Sequence, residues 1–135
     1  MPMVTVNGVE VEVDKGTSIL QAAAQAGFAV PHFCYHPALS SPANCRMCLV
    51  EVEGARKLLP GCYNSVNDGM VVLTESERVH HARKAVLEFI LVNHPVDCPI
   101  CDKAGECKLQ DYYFAYDAQE SRMRAEKQHK VKAYP

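Results

Sequence analysis

An α+β fold is predicted by three observations: an alternating valine hairpin, a capped amphipathic stretch behind it, and further period-2 strands beyond a cysteine-rich loop. Val4, Val6, Val9, Val11 and Val13 alternate with polar residues on either side of Asn7-Gly8. Asn-Gly between alternating runs is the strongest short-range hairpin signal. Thr17 or Ser18 then caps an amphipathic helix over Ile19 to Ala26, which Gly27 closes. Irregular sequence with Pro31, Pro37 and Pro42 follows and holds Cys34 and Cys45. Cys48 leads into the strand CLVEVEG, the apolar pair Leu58-Leu59 precedes Cys62, and Met70 to Leu73 reads as the last short strand. These elements predict a domain over residues 1–74.

Thr74-Glu75-Ser76-Glu77 fits a capping box, and Val79, Ala82, Val86, Phe89 and Ile90 follow at helical spacing. The prediction is a linking helix over 75–93, ended at His94-Pro95 because a residue before proline is pushed out of the α region. The segment 94–118 has few large apolar residues beside its cluster Tyr112, Tyr113, Phe114 and Tyr116. So small a piece needs a metal or a partner to hold it. From 119 to 135 the chain is charged, with Arg122, Arg124, Lys127, Lys130 and Lys132, and reads as a solvated tail.

Of the 135 residues, 48% are hydrophobic and 22% charged, which indicates a folded chain. A net charge of −2 supplies no electrostatic reason for a nucleic-acid or anionic-membrane partner. Apolar runs such as Phe89-Ile90-Leu91-Val92 are far short of the roughly 20 residues that span a bilayer, so no direct membrane insertion is expected. The N-terminal sequence lacks the organisation of a secretion signal, and a cytosolic setting keeps thiols reduced. Seven cysteines there read as metal ligands before disulphides.

They fall into two groups. Cys34, Cys45, Cys48 and Cys62 give C-x10-C-x2-C-x13-C; His94, Cys98, Cys101 and Cys107 give H-x3-C-x2-C-x5-C. Seven cysteines and one histidine make two sets of four with no cysteine left over. Structural zinc sites usually use two close ligand pairs, whereas each group here has one C-x2-C pair and two single ligands. The first group has the shape of a plant-type [2Fe–2S] site with a longer leading spacer. The second fits zinc or iron–sulphur on spacing. A thioredoxin-like dithiol at Cys98-Pro99-Ile100-Cys101 lacks its βαβ setting and leaves the first group unexplained. A Cys–His nucleophile pair lacks a partner acid and an oxyanion cradle. Arg46 lies between two candidate ligands and can offset thiolate charge; His32 and His36 read as loop residues, and His80 and His81 as solvent-facing.

PHFCYHPALSSPANCRMCLVEVEG and LVNHPVDCPICDKAGECKLQD resemble the N-terminal iron–sulphur region of the large iron–sulphur subunit of NADH:quinone oxidoreductase, respiratory complex I. The resemblance runs from the first hairpin to about Tyr116. It implies a ferredoxin-like β-grasp domain with one [2Fe–2S] cluster on Cys34, Cys45, Cys48 and Cys62. It implies one [4Fe–4S] cluster on His94, Cys98, Cys101 and Cys107; Tyr112 to Tyr116 read as hydrophobic cover over that site rather than as redox relays. The implied role is one-electron relay from an NADH-oxidising flavin subunit toward quinone, with no catalytic centre in this chain. The implied partners are the other subunits of a multi-subunit NADH-oxidising complex. The implied place is its peripheral arm, on the cytoplasmic face of the inner membrane if bacterial and on the matrix side if mitochondrial. The family continues into a further cysteine-rich region and a molybdopterin-oxidoreductase-like domain, whereas no cysteine follows Cys107 here. The same module resembles parts of NAD-linked hydrogenases, iron-only hydrogenases and formate dehydrogenases.

Overall fold

The computed structural model describes residues 1–116, 120–129 and 131. The chain divides into two compact units, Met1–Arg83 and Lys84–Pro135. The first is a five-stranded mixed sheet with a helix. Strands β1 (Met3–Val6) and β2 (Val9–Glu12) form the hairpin, with Val4 opposite Val11 and Val6 opposite Val9. At the turn Asn7 has φ 48° and Gly8 φ 85°, the left-handed pair that a two-residue type I′ connection requires. The Asn7 side chain is also fixed from the far end of the domain. Its Nδ2 donates to Thr74 Oγ1 at 2.7 Å, and the Thr74 N–H donates to Asn7 Oδ1 at 2.9 Å.

Helix α1 (Ile19–Gln25) starts at Ser18, whose hydroxyl accepts from the Gln21 N–H while the Gln21 side chain accepts from the Ser18 N–H. It ends with Gly27 at φ 90°, the Phe28 N–H bonding Ala23 O and the Gly27 N–H bonding Ala24 O. That is the Schellman arrangement, which glycine accommodates without a Cβ clash. Strands β3 (Leu49–Val52), β4 (Leu59–Pro60) and β5 (Met70–Leu73) complete the sheet in the order β2-β1-β5-β3-β4. β1 and β5 are parallel; every other neighbouring pair is antiparallel. The core sets Val4, Val6, Val50 and Val72 from the sheet against Ile19, Leu20, Ala22 and Ala23 from α1.

Gly61 joins this core to the cysteine loop. Its N–H donates to Cys48 O, and its own carbonyl accepts from the Leu20 N–H, both at 2.9 Å. A Cβ there would lie 3.2 Å from Cys48 O and 3.5 Å from Leu20 N, both immobile backbone atoms. Gly61→Ala is therefore expected to destabilise the first unit by roughly 1–3 kcal/mol, the usual range for overpacking. Denaturant unfolding measures this, and a variant as stable as the parent refutes the close approach.

Helix α2 (Glu77–Leu91) begins in the first unit and ends in the second. Its cap is Ser76, whose hydroxyl accepts from the Val79 N–H and donates to Glu51 Oε2 at 2.6 Å. Thr74, the first residue of the expected capping box, is instead buried against Asn7. The buried positions also differ from the apolar pattern: Val79, Arg83 and Leu87 are buried, while Phe89 is 80% exposed. Arg83 is accommodated through Glu75, 3.4 Å away. In the second unit a single 3-10 turn (Cys98–Ile100) and helix α3 (Lys108–Ala115) follow. Leu87 is the one buried side chain of this unit among the described residues. No helix among them is long and apolar enough to cross a membrane.

Candidate metal centres

The loop between α1 and β3 carries Cys34, Cys45 and, immediately before the strand, Cys48; Cys62 follows β4. Cys48 and Cys62 are buried in the domain core; Cys34 and Cys45 are partly exposed. Two residues of the loop without glycine's freedom, Ala43 (φ 53°) and Arg46 (φ 61°), take left-handed backbone, bending the chain on both sides of Cys45.

Their electrostatics show the thiols to be neighbours. Desolvation raises the Cys34 pKa, but hydrogen bonds from the Cys45 N–H, the Cys45 thiol and the Asn44 N–H outweigh it and hold the thiol below its ordinary value. Burial pushes the Cys48 thiol up to about 12. The Cys62 N–H opposes that rise, while contact with the Cys62 thiol and the charges of Cys62 and Cys45 add to it. Four adjacent thiols, one this hard to ionise, suit a highly charged cation centre that receives them all as thiolates. Ser41 Oγ, in the same loop, is buried without a hydrogen-bond partner among the described residues, a donor that a sulphur acceptor would satisfy. Arg46 is exposed, as is His36. His32 is held by a 2.9 Å contact between its Nδ1 and Val30 O, and by an edge-on contact with Tyr35.

The second group lies wholly in the second unit. His94, Cys98, Cys101 and Cys107 line one cavity of about 240 Å³, walled by Leu91, Val96, Leu109, Tyr113 and Phe114. A single water needs roughly 10–15 Å³ by the same measure, so the space suits a group of several atoms. The loop around it is turned tightly: the Cys101 N–H donates to Cys98 O, the Ala104 N–H to Cys101 O, and the Gly105 N–H to Gln110 Oε1. Cys107 stands at the N-terminal end of α3, where helix N–H groups favour negative charge. Three thiols, one imidazole and an apolar wall therefore fit a polynuclear iron–sulphur group. Tyr113 and Phe114 supply part of the wall, in keeping with the expected aromatic cover. His80 is half-buried and contacts Glu75 at 2.7 Å, while His81 is exposed. Among the described residues, no three His, Cys, Asp or Glu side chains close on one point as for a single bound ion.

The described part of the charged tail, residues 120–129, is largely exposed, and Arg122, Lys127 and Gln128 in it contact α2 and the turn after it. Lys130 and Lys132 are outside the described residues. Arg122 pairs bidentately with Glu88 at 2.6–3.0 Å. The hydrogen bond and charge of Arg122 hold the Glu88 carboxyl below the usual carboxylate range. Lys127 reaches the carbonyls of Leu91 and His94, and the Gln128 N–H donates to Asn93 Oδ1.

Residues 3–77 match the 2Fe-2S iron-sulfur cluster binding domain, and residues 83–122 match the NADH-ubiquinone oxidoreductase-G iron-sulfur binding region. An NADH-quinone oxidoreductase subunit of Rickettsia bellii is 52% identical over 116 residues, 86% of this chain and 17% of that protein. The NADH-ubiquinone oxidoreductase 75 kDa subunit of Reclinomonas americana is 53% identical over 122 residues, 90% of this chain and 18% of that one. This chain thus spans less than a fifth of the length of these curated relatives. Among solved structures, an NAD+-reducing [NiFe]-hydrogenase in the H2-reduced state superposes with a TM-score of 0.86 at 28% identity, covering 96% of this chain and 55% of that one. One 2Fe-2S and one 4Fe-4S binding region are therefore present. The chain belongs to the 2Fe-2S iron-sulfur cluster binding domain family, and it joins to that domain the iron-sulfur binding region of NADH-ubiquinone oxidoreductase-G.

Proposed function

We propose that this chain is the electron-relay portion of an NADH:quinone oxidoreductase, passing electrons from a flavin-binding NADH subunit toward quinone. In this reading Cys34, Cys45, Cys48 and Cys62 hold the [2Fe–2S] cluster, and His94, Cys98, Cys101 and Cys107 hold the [4Fe–4S] cluster. The observation that carries it is the pairing, in one chain, of both iron–sulphur regions at about half identity with NADH-quinone and NADH-ubiquinone oxidoreductase subunits. When bound, the clusters supply one-electron transfer. The chain's own residues hold them, direct N–H donors at sulphur and keep water away; none is asked to act as acid or base. Residues 1–74 form the ferredoxin-like domain, 75–93 the linking helix and 94–118 the second cluster segment. The chain sits with other subunits in the peripheral arm of a membrane complex, facing the cytoplasm in a bacterium or the matrix in a mitochondrion.

A second reading, the same module in an NAD-linked hydrogenase, is favoured by the superposition on the NAD+-reducing hydrogenase chain. Anaerobic purification from the native source tests both. Brown protein with about six irons per chain, copurifying with a flavin-binding subunit and quinone-reducing subunits, is the expected result. A hydrogenase subunit in their place favours the second reading. Colourless protein with two zincs per chain overturns both.

A further inference from the structure

We propose that Lys127 is the positioning residue of the histidine at the second site, which makes the segment over residues 120–129 a working part of that site. The inference rests on the assignment of His94 as a cluster ligand.

The last carbonyls of any α-helix lack intrahelical donors. At the end of α2 one ammonium fills that role: Lys127 Nζ donates to Leu91 O at 3.1 Å and to His94 O at 2.5 Å. A single cation thus bridges the helix's last residue and the ligand residue, pinning both ends of the turn between them. Pro95 has no N–H and excludes His94 from helical backbone, so this turn cannot be held by continuing the helix. The anchorage is reinforced on either side by the Arg122–Glu88 pair and by Gln128 N–H donation to Asn93 Oδ1 at 3.0 Å. The direction of the His94 imidazole follows from its backbone, and a ligand displaced by a few tenths of an ångström no longer meets its metal. The Lys127 charge, held against the ligand's own carbonyl, also favours whichever state of the site is more negative, which is the reduced one.

The test is EPR and redox titration of the [4Fe–4S] signal in the full protein, purified anaerobically, with thermal unfolding followed in parallel. Lys127→Met is expected to lower the midpoint potential and to broaden or split the signal. Lys127→Arg, which keeps charge and donors, restores both. Lys127→Gln keeps a donor without the charge, so its midpoint falls while its signal stays single. A lower Tm in Lys127→Met with parental signal and midpoint makes the lysine a helix cap only and overturns the proposal. If the Met variant does not accumulate, Lys127→Gln with the parental midpoint overturns it equally. His94→Cys in the parent separates the two levels: a [4Fe–4S] signal unchanged by that substitution defeats the ligand assignment itself, whatever the lysine variants do.

Discussion

Cys48→Ser is expected to abolish the [2Fe–2S] signal, lower the iron content from about six to about four per chain, and destabilise the first unit, while the [4Fe–4S] signal persists. Cys48 is 1% exposed and belongs to the same core as Val50 and Ile19. Its carbonyl receives the Gly61 N–H, so the residue sets both the loop backbone and the sulphur position. A serine hydroxyl there is a harder, much less acidic ligand than thiolate and binds iron poorly. Without a metal it becomes a buried hydroxyl among valines, a change that costs on the order of 1–3 kcal/mol. The consequence is confined to the first unit because the second cavity is lined by residues 91–114 alone. Iron analysis, EPR and thermal unfolding of one preparation measure all three effects. Retention of a normal [2Fe–2S] signal would remove Cys48 from the ligand set. Simultaneous loss of both signals would show that the two sites do not assemble independently.

The elements legible in the sequence are those whose cause is local. The hairpin follows from valine alternation and from Asn7-Gly8, and α1 from a cap at Thr17 or Ser18 and from Gly27, because each rule operates within a few residues. The two cysteine groups are legible by spacing and count, and His94, Cys98, Cys101 and Cys107 line one cavity of the second unit. Features decided by distant partners are not legible. Arg83 counts as polar in any hydrophobic pattern, yet it is fully buried with the half-exposed Glu75 carboxylate 3.4 Å away; the apolar spacing instead favours Phe89, which is exposed. The left-handed Ala43 and Arg46 carry no signal in residue type, since neither is glycine or asparagine. The contacts of Arg122, Lys127 and Gln128 join residues more than thirty positions apart, where no periodicity operates.

The same distinction governs the second large effect, expected at His94, where identity is legible and environment is not. His94→Cys is expected to keep a [4Fe–4S] cluster and to lower its midpoint potential, on the order of 100 mV by analogy with the ligand exchange that separates Rieske from all-cysteine centres. A neutral imidazole contributes no charge to the cluster, whereas a thiolate contributes one negative charge, and the reduced state then suffers the added repulsion. His94 is exposed at the cavity rim, so solvent screens part of this effect. Cys101 is also exposed, while Cys98 and Cys107 are partly buried, so the substituted ligand stands on the wetter side of the site. Lys127 on the His94 carbonyl opposes the shift by stabilising negative charge, but the parent has the same lysine, and only the ligand's charge differs between the two proteins. The sign therefore survives both corrections and only the magnitude shrinks. Redox titration followed by EPR reads it directly. An unchanged or higher midpoint in His94→Cys would mean that ligand charge does not set this potential, leaving burial and hydrogen bonds to sulphur as the controlling terms.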